Sequence, residues 1–327
     1  MTDRGDRPLV TFALFSFNQE QYVREALEAA FAQDYHPLEI LVTDDCSTDG
    51  TFDIIQSVVA AYDGDHQVRV NRNAENLGVA RHINHAVELA RGDIFVGAAA
   101  DDVSLPDRVS ETVSCFISAE PPLYSVCTSV ETFDDDGTVL GKRTIADAPG
   151  VMNVLQSGTR WVTGCSHAWH RRLFDFFGPL RPDVIAEDKV IGFRAMLLGG
   201  RVGYVDKELV RYRQHGQSIS SASFVYRRSH MLLASALSHE ADLETLRRSG
   251  EDVGHLDVPE LQRQIGRMLQ RARTYVRIAD GGVFSGLWAW TTNPFVVEPR
   301  IAAIMLGAKL AGKRRNRRLP VSQGVDS

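Results

Sequence analysis

Short apolar, β-rich runs alternate with longer helical patterns over roughly the first hundred residues. This alternation is typical of parallel βαβ units, in which helices cover both faces of a sheet. In the first predicted helix, apolar residues recur at steps of three and four and so fall on one face. The predicted strands are Leu9–Phe15, Leu38–Thr43, Val68–Asn71 and Asp93–Ala98. We therefore expect an α/β fold with a mostly parallel, Rossmann-like sheet.

The later part of the chain has a different pattern. Beyond Phe224 the sequence predicts two long helices, Phe224–Arg248 and Pro259–Ala279. Between the first sheet and these helices we predict a helix from Leu105-Pro106 to about Ala119, strands at Leu123–Phe133, Trp161–Trp169 and Val202–Tyr212, and a short helix at Glu187–Leu198. We place a boundary near residue 222, which divides an α/β domain at 1–222 from a helical C-terminal extension at 223–327.

Composition fits an ordinary intracellular enzyme or binding protein. The chain has 327 residues, of which 44% are hydrophobic and 24% are charged, enough for one large domain or two smaller ones. Its four cysteines include no C-x-x-C pair, which argues against a zinc ribbon or a disulfide framework and favours core thiols in a reducing compartment. Residues 1–7 are polar and carry no apolar secretory signal. We therefore expect a cytoplasmic protein.

The charge is unevenly distributed. The formal net charge is −6, although five basic residues lie between positions 313 and 318, so the rest of the chain is strongly acidic. An acidic body makes nucleic acid an unfavourable partner. Two interpretations of the basic terminus remain open: weak attraction to an anionic membrane, or a disordered, solubilising tail. The apolar, aromatic stretch 283–311 is interrupted by Pro294 and Pro299, and it lies either on a membrane or against the main domain.

Carboxylates follow the ends of several predicted strands. Asp101 and Asp102 come directly after the apolar run that ends the fourth strand, and Asp44-Asp45 follows the second. Ligands of open parallel sheets collect outside the carboxyl ends of the strands, where carboxylates and substrate phosphates commonly hold Mg²⁺ or Mn²⁺. The alternative for each pair is a solvated turn or a helix cap. We expect Asp49 to be structural and Asp45 to face a ligand.

Four motifs in this order resemble the family 2 glycosyltransferases of the GT-A fold, over roughly residues 8–220. The motifs are Val10–Asn18, Asp44–Thr51, Asn76-Leu77-Gly78 and Ala100-Asp101-Asp102. The resemblance implies that a nucleotide base lies between the ends of the first two strands. It also implies that the later aspartates meet the ribose and a divalent metal, Mn²⁺ or Mg²⁺, on the diphosphate.

Carried over by position, the resemblance assigns roles to individual residues. Phe17 and Asp45 would contact the base, Asp101 the ribose or metal, and Asp102 the metal. Many relatives read Asp-x-Asp-Asp, whereas here the first of these positions is Ala99. We expect metal binding to survive this change and the contacts to ribose or sugar to differ.

Three further segments resemble parts of the family's active site. The pair Glu187-Asp188 opens a predicted helix, and in similar enzymes such a pair supplies the base that deprotonates the acceptor hydroxyl; acidic residues also favour helix N-termini for the dipole alone. The segment 211–220 resembles the one that closes the active site, so His215 would reach the metal or diphosphate and Arg211 or Arg213 the phosphates. Residues 163–169 would line the acceptor side.

The sequence therefore favours an inverting, metal-dependent glycosyltransferase that moves a sugar from a UDP- or dTDP-sugar to a hydroxyl of a saccharide or lipid-linked acceptor in cell-surface polysaccharide or glycoconjugate biosynthesis. A nucleotidyltransferase would need a glycine-rich phosphate loop with a basic residue after the first strand, which Ser16–Glu20 does not offer. A non-catalytic nucleotide-binding scaffold would have no need of Asp188. The pair His82 and His85, three apart on one predicted helix, is interpreted as surface or packing residues rather than as a metal pair.

Overall fold

The computed structural model describes residues 7–144, 151, 155, 162–215 and 225–280, the side chains of 225–228 excepted. The strands are β1 (Val10–Ser16), β2 (Leu38–Asp44), β3 (Gln67–Arg72), β4 (Ile94–Ala99), β5 (Val103–Ser104), β6 (Ser125–Phe133), β7 (Val139–Arg143), β8 (Ala168–His170) and β9 (Gly203–Arg213). The helices are α1 (Val23–Phe31), α2 (Thr51–Ala60), α3 (Val79–Leu89), α4 (Arg108–Ser118), α5 (Arg172–Phe177), α6 (Glu187–Gly199), α7 (Val225–Ser249) and α8 (Val258–Asp280).

The strands form one sheet in the order β3-β2-β1-β4-β8-β6-β9-β5, with β7 paired to β6. The first four strands along the chain pair in parallel, as predicted, and β6 pairs in parallel with β9. Strand β8 is antiparallel to both of its neighbours, β4 and β6, and so joins the two parallel parts. The α/β class is confirmed, and the sheet is mixed towards its second half.

Alternation along the strands places a core on each face of the sheet. In β2, Ile40 packs in one cluster with α1, α2 and α4, whereas Leu41 packs on the other face with α3, α5 and α6. This division follows from the period of two along a strand. A third cluster joins α6 to the two long C-terminal helices α7 and α8. The two C-terminal helices therefore share a core with α6, which precedes them in the α/β part of the chain.

One predicted strand is wrong in most of its length. Of Trp161–Trp169, Trp161 lies outside the described residues, Gly164–Ser166 forms a 3₁₀ turn, and only the last part belongs to β8. The hydroxyl of Ser166 donates to the carbonyl oxygens of Thr163, at 3.3 Å, and Thr128, at 3.0 Å. These bonds fold the segment back into a turn instead of a ladder. The other predicted elements differ from the structure by a few residues at their ends.

Some predictions fall outside the described residues. These are the domain boundary near 222, the segment 216–220, the aromatic stretch 283–311 and the basic cluster at 313–318. Within the described ranges, no helix is both long and apolar enough to cross a membrane.

Candidate functional site

The carboxyl ends of β1, β2 and β4 lie side by side. The amide of Asp45 donates to the carbonyl of Ser16 at 2.9 Å, and the amide of Ala100 donates to the carbonyl of Phe15 at 2.9 Å. After Ala99 the chain turns at once, because the amide of Asp102 donates back to its carbonyl at 3.2 Å. The loops that carry Phe17, Asp45 and Asp101-Asp102 therefore leave the sheet at the same edge, as the strand pattern predicts.

Asp101 meets His215 across the site. The Nε2 atom of His215 lies 2.9 Å from Oδ2 of Asp101, and the two side chains are 6% and 17% exposed. The ring of Tyr22, at the start of α1, packs on the His215 imidazole with 5.0 Å between ring centroids. The structure thus brings together two candidate ligands that are more than a hundred residues apart in the sequence.

Asp102 is buried behind Asp101. Its Oδ1 accepts a hydrogen bond from the backbone amide of Arg213 at 2.9 Å. Burial raises the pKa of Asp102 well above its ordinary value, and the neighbouring Asp101 charge raises it further. The charge of Arg213 acts in the opposite direction, and its guanidinium also donates to Glu25 on α1 at 2.5 Å. This arrangement ties the end of β9 to the aspartate pair.

Arg108 lies beneath the pair and was not singled out from the sequence. Its side chain is 1% exposed and donates to Ser104 Oγ at 2.8 Å and to the Gly97 carbonyl at 2.6 Å, while its Nε has no partner among the described residues. The charge of Arg108 lowers the pKa of Asp102 and so opposes the effect of burial. A single arginine at the start of a helix gives no sequence signal of such a role.

The donor set of the aspartate pair fits a divalent cation that shares its ligands with a substrate. Within the described ranges, no group of three or more histidine, cysteine or acidic side chains converges as a metal site. Mg²⁺ and similar ions are usually held by one or two carboxylates together with substrate phosphates rather than by a complete protein cage. Asp101, Asp102 and His215 offer this kind of incomplete set.

Asp45 holds the loop between β3 and α3. Its Oδ1 accepts hydrogen bonds from Asn73 Nδ2 and from the amide of Leu77, both at 2.8 Å, and its Oδ2 accepts one from the amide of Gly78 at 2.9 Å. The side chain is 4% exposed. His82 lies 4.0 Å from Oδ2. Asp45, which the sequence predicts to face a ligand, therefore also stabilises the loop between β3 and α3.

His82 packs in the core beside Asp45. The interpretation of His82 as a packing residue is confirmed, since it is buried and its Nε2 lies 2.8 Å from Thr43 Oγ1. Burial lowers the pKa of His82, which favours its neutral form. His85, on the same helix, is more exposed and lies 3.5 Å from Glu88.

Phe17 is exposed beside the same loop. Its side chain is 43% exposed. Asn18 follows it with a positive φ of 53° and accepts a hydrogen bond from the amide of Thr48 at 2.8 Å. Asp49 accepts a hydrogen bond from the amide of Thr51 at 3.0 Å, which confirms its predicted structural role. The two loops are thus bound together, with the Phe17 ring left at the surface.

Arg211 lies apart from the aspartate pair. Its Nε donates to Glu131 on the adjacent strand β6 at 3.1 Å, and its guanidinium packs over the ring of Phe133 at 4.3 Å. The guanidinium of Arg213 packs on the same ring at 4.4 Å. Of the two arginines considered for phosphate binding, Arg213 is therefore the one that contacts Asp101 and Asp102, through its Nε and its backbone amide.

Glu187 and Asp188 form a second acidic pair at the first turn of α6. Both keep some exposed surface, but the surrounding protein raises the pKa of each, with burial as the largest cause; for Glu187 the charge of Asp188 adds to it. Asp188 Oδ1 accepts a hydrogen bond from the amide of Lys189 at 2.8 Å. A coupled pair of this kind holds a proton more readily than two isolated carboxyl groups.

The turn at Gly164–Ser166 separates the two acidic pairs. A Cβ on Gly164 would lie 3.2 Å from Glu187 Oε1 and 3.8 Å from the Asp188 Cβ, so the absence of a side chain lets the pair approach the turn. Next to it, burial raises the pKa of the Cys165 thiol, and the charge of Asp102 is the second cause. One short turn therefore lies against Glu187-Asp188 and within the electrostatic influence of Asp102, and this turn is part of the segment predicted to line the acceptor side.

Comparisons with known proteins agree with this arrangement. The model of the family described as glycosyl transferase family 2 matches residues 11–177, just over half of the chain. The putative teichuronic acid biosynthesis glycosyltransferase TuaG of Bacillus subtilis is 27% identical over 217 residues, which are 66% of this chain and 82% of that protein.

Two solved structures share the fold. A mannosyltransferase from Pyrobaculum calidifontis, in complex with GDP-Man and Mn²⁺, has a TM-score of 0.55 and 19% identity over 97% of this chain and 89% of that one. Residues 1–349 of S. aureus TarS, in complex with UDP-GlcNAc, have a TM-score of 0.58 and 15% identity over 93% and 92% of the two chains. Because the family model covers more than half of its length, the chain belongs to glycosyltransferase family 2 and is a glycosyltransferase of the GT-A fold.

Proposed function

We propose that this enzyme transfers a sugar, with inversion, from a nucleoside diphosphate donor to a hydroxyl of a saccharide or lipid-linked acceptor, and that the donor is a UDP- or dTDP-sugar. The likeness to a teichuronic acid biosynthesis enzyme supports an acceptor in cell-surface polysaccharide synthesis. The observation that supports the proposal is that the turn at Gly164-Cys165 lies against Glu187-Asp188 on one side and is influenced by the charge of Asp102 on the other.

The first pair belongs to the donor side. We assign the base to the surface formed by Phe17 and Asp45, with the exposed ring of Phe17 available for stacking. Asp101 would contact the ribose or the metal. Arg211 stays a candidate for the phosphates only if it exchanges its bond to Glu131 for one to the donor.

Asp101, Asp102 and His215 would hold a Mn²⁺ or Mg²⁺ ion. A divalent ion at that position neutralises charge that develops on the departing diphosphate. Burial, and after it the charge of Asp101, raises the pKa of Asp102, which supports a site that favours added positive charge.

The second pair belongs to the acceptor side. We assign the general base to Asp188 and the orientation of the acceptor or of the turn to Glu187. As the acceptor oxygen bonds to the sugar C1, its proton passes to Asp188 and the bond from C1 to the diphosphate oxygen breaks. Attack from the side opposite the leaving group inverts C1. A base in this position typically contributes a factor of roughly 10²–10⁴ in rate.

The assignment of Asp188 is tested by Asp188→Asn, with Glu187→Gln as the matched variant in the same helical turn. We expect Asp188→Asn to lower kcat by roughly 10²–10⁴-fold and to leave the Kd of the donor nucleotide unchanged. Glu187→Gln should lower kcat by a smaller factor. Near-normal turnover of Asp188→Asn would remove Asp188 as the base.

The donor and the metal are tested by calorimetry with UDP, dTDP, GDP and CMP, each with Mn²⁺, Mg²⁺ or EDTA. We expect tight binding of one nucleotide only in the presence of metal, and loss of the metal effect in Asp102→Ala. Equal affinity of Asp102→Ala with and without Mn²⁺ would contradict the metal assignment. Absence of binding by every nucleotide would favour a scaffold.

We also propose peripheral contact of the cytoplasmic enzyme with an anionic membrane through its basic C-terminus, where residues 313–318 carry five positive charges. Such contact would bring the enzyme to a lipid-linked acceptor. Deleting residues 313–327 should release the enzyme from vesicles that contain phosphatidylglycerol. Unchanged vesicle binding by the chain that lacks residues 313–327 would contradict the proposed membrane contact.

A further inference from the structure

A row of arginines follows one face of the last described helix, α8. Arg263, Arg267, Arg273 and Arg277 are all exposed, with exposed Gln270 between them. These five positions follow one another at steps of four, three, three and four residues, which is the spacing of a single helical face. At 1.5 Å per residue the row is about 21 Å long. We call these four arginines the α8 arginine row.

Most of this charge has no acidic partner. Arg263 forms an ion pair with Glu260 at 2.6 Å, whereas Arg267, Arg273 and Arg277 form no ion pair with any residue of the described ranges. The opposite face of α8 is apolar and packs against α7, with Leu261, Ile265 and Leu269 buried. The row is therefore not needed to attach the helix, and it stands out on a chain whose formal net charge is negative.

The row leads towards the end of the molecule that carries the acceptor-side carboxylates. Helices α6 and α7 run in the same direction, since the Phe193 ring packs on His239 and Arg194 binds Asp242. Helix α8 returns along α7, and its last residue, Asp280, lies 3.1 Å from His230 near the start of α7. The Arg277 end of the row is therefore at the same end of this helical layer as Glu187 and Asp188, which begin α6.

We propose that the α8 arginine row is a docking surface for an anionic lipid bilayer. A straight, exposed row of unpaired cations fits a flat surface of negative headgroups, and each basic residue close to such a surface strengthens binding by a factor of about five. In sequence, α8 is followed by an apolar stretch with Trp288 and Trp290, a composition that favours a membrane interface over a polyanionic glycan. This surface is separate from the terminal cluster at 313–318 and does not depend on the donor or acceptor proposed above.

The test is flotation of the full chain with vesicles of phosphatidylcholine, with and without 30% phosphatidylglycerol. The variant Arg267→Gln/Arg273→Gln/Arg277→Gln removes the unpaired charge, and the corresponding triple lysine variant keeps it. Arg91→Gln/Arg201→Gln/Arg247→Gln is the matched control, because it removes the same charge from exposed positions elsewhere. All variants keep residues 313–318, and thermal melts verify that each is folded.

We expect the triple glutamine variant of α8 to bind the anionic vesicles roughly 100-fold more weakly than the original chain. The lysine variant and the matched control should stay within about threefold, and salt should weaken binding, since the Debye length falls from about 10 Å at 0.1 M to about 3 Å at 1 M. Unchanged binding by the α8 glutamine variant, an equal loss in the matched control, or absence of binding by the original chain would overturn the proposal.

A second readout separates lipid from an acidic glycan. Soluble polygalacturonate is added to the same proteins, and loss of its binding by the α8 glutamine variant with unchanged vesicle binding would assign the row to a polyanionic saccharide and overturn the lipid proposal. Calorimetric binding of UDP with Mn²⁺ is measured in parallel. Failure of nucleotide binding with normal vesicle binding would count against the proposed donor chemistry alone.

Discussion

Replacement of Asp45 by asparagine tests the structural part of the donor site. In the original chain, both carboxylate oxygens are used: Oδ1 accepts from Asn73 and from the amide of Leu77, and Oδ2 accepts from the amide of Gly78. An asparagine side chain has one acceptor oxygen and one amide donor group. If its oxygen keeps the two bonds of Oδ1, its NH₂ group faces the amide of Gly78, which then keeps only its second acceptor, Asn76 Oδ1, at 2.9 Å.

The expected cost follows from these contacts. A hydrogen bond to a charged group contributes about 1.5–3 kcal/mol, and the two bonds that remain are no longer made to a charged acceptor. We therefore expect Asp45→Asn to lower the free energy of unfolding by about 2–3 kcal/mol. For a chain of this length, 1 kcal/mol corresponds to roughly 2 °C in Tm. The melting temperature without ligand should fall by about 4–6 °C.

The assay is thermal melting with and without UDP and Mn²⁺, and Asn73→Ala is the control. Asn73→Ala removes one donor to Asp45 and keeps the carboxylate, so it should cost about 1 kcal/mol and retain the rise in Tm that the nucleotide causes. If Asp45 also accepts a hydrogen bond from the base, Asp45→Asn should lose that rise as well. An unchanged Tm of ligand-free Asp45→Asn would refute the inference that this carboxylate holds the loop.

Three further outcomes test other parts of the structure. Asp242→Asn leaves the guanidinium of Arg194, 4% exposed, without its carboxylate partner and should lower the free energy of unfolding in urea by about 3–5 kcal/mol. The double variant Arg194→Met/Asp242→Leu should recover most of the lost free energy of unfolding. Because burial raises the pKa of Asp188 and the base must be ionised, kcat/KM should rise with pH through a midpoint above the pKa of an ordinary aspartate. This rise of kcat/KM with pH should be absent in Asp188→Asn. Gly97→Ala would place a Cβ 3.0 Å from the indole of Trp169, and this overpacking should cost about 1–3 kcal/mol in the same urea measurement.

The positions of the strand ends were predictable from the sequence, whereas most contacts of the site residues with other side chains were not. The β1, β2 and β4 segments read as apolar runs that stop at polar residues, so the common edge of Phe17, Asp45 and Asp101 follows from parallel pairing alone. His215 and Asp101 are 114 positions apart, and the family resemblance, not periodicity, suggested that they share a site. Nothing local marks Arg108 as the charge beneath Asp102.

The predictions that failed also depended on contacts with residues that are distant in the sequence. The run from Trp161 to Trp169 is apolar enough to resemble a strand, but the hydroxyl of Ser166 finds carbonyl partners in its own turn and on β6, and such competition is not visible in a binary pattern. Similarly, Arg211 precedes Arg213 by one full strand period, so the two share a face. Which of them reaches the aspartates depends on Glu131, a neighbour contributed by another strand.

Helix α6 explains why the C-terminal helices share a core with the α/β part of the chain. Residues Val190–Leu197 are buried without interruption, a pattern that requires a cover on every side of the helix. The sheet covers one side, and α7 and α8 cover another. Arg194 is tolerated in this position because Asp242 on α7 and the carbonyl of Gly178 before α6 both bind it. The first turn of the same helix carries Glu187 and Asp188, so α7 packs on the helix that holds the acidic pair beside Gly164.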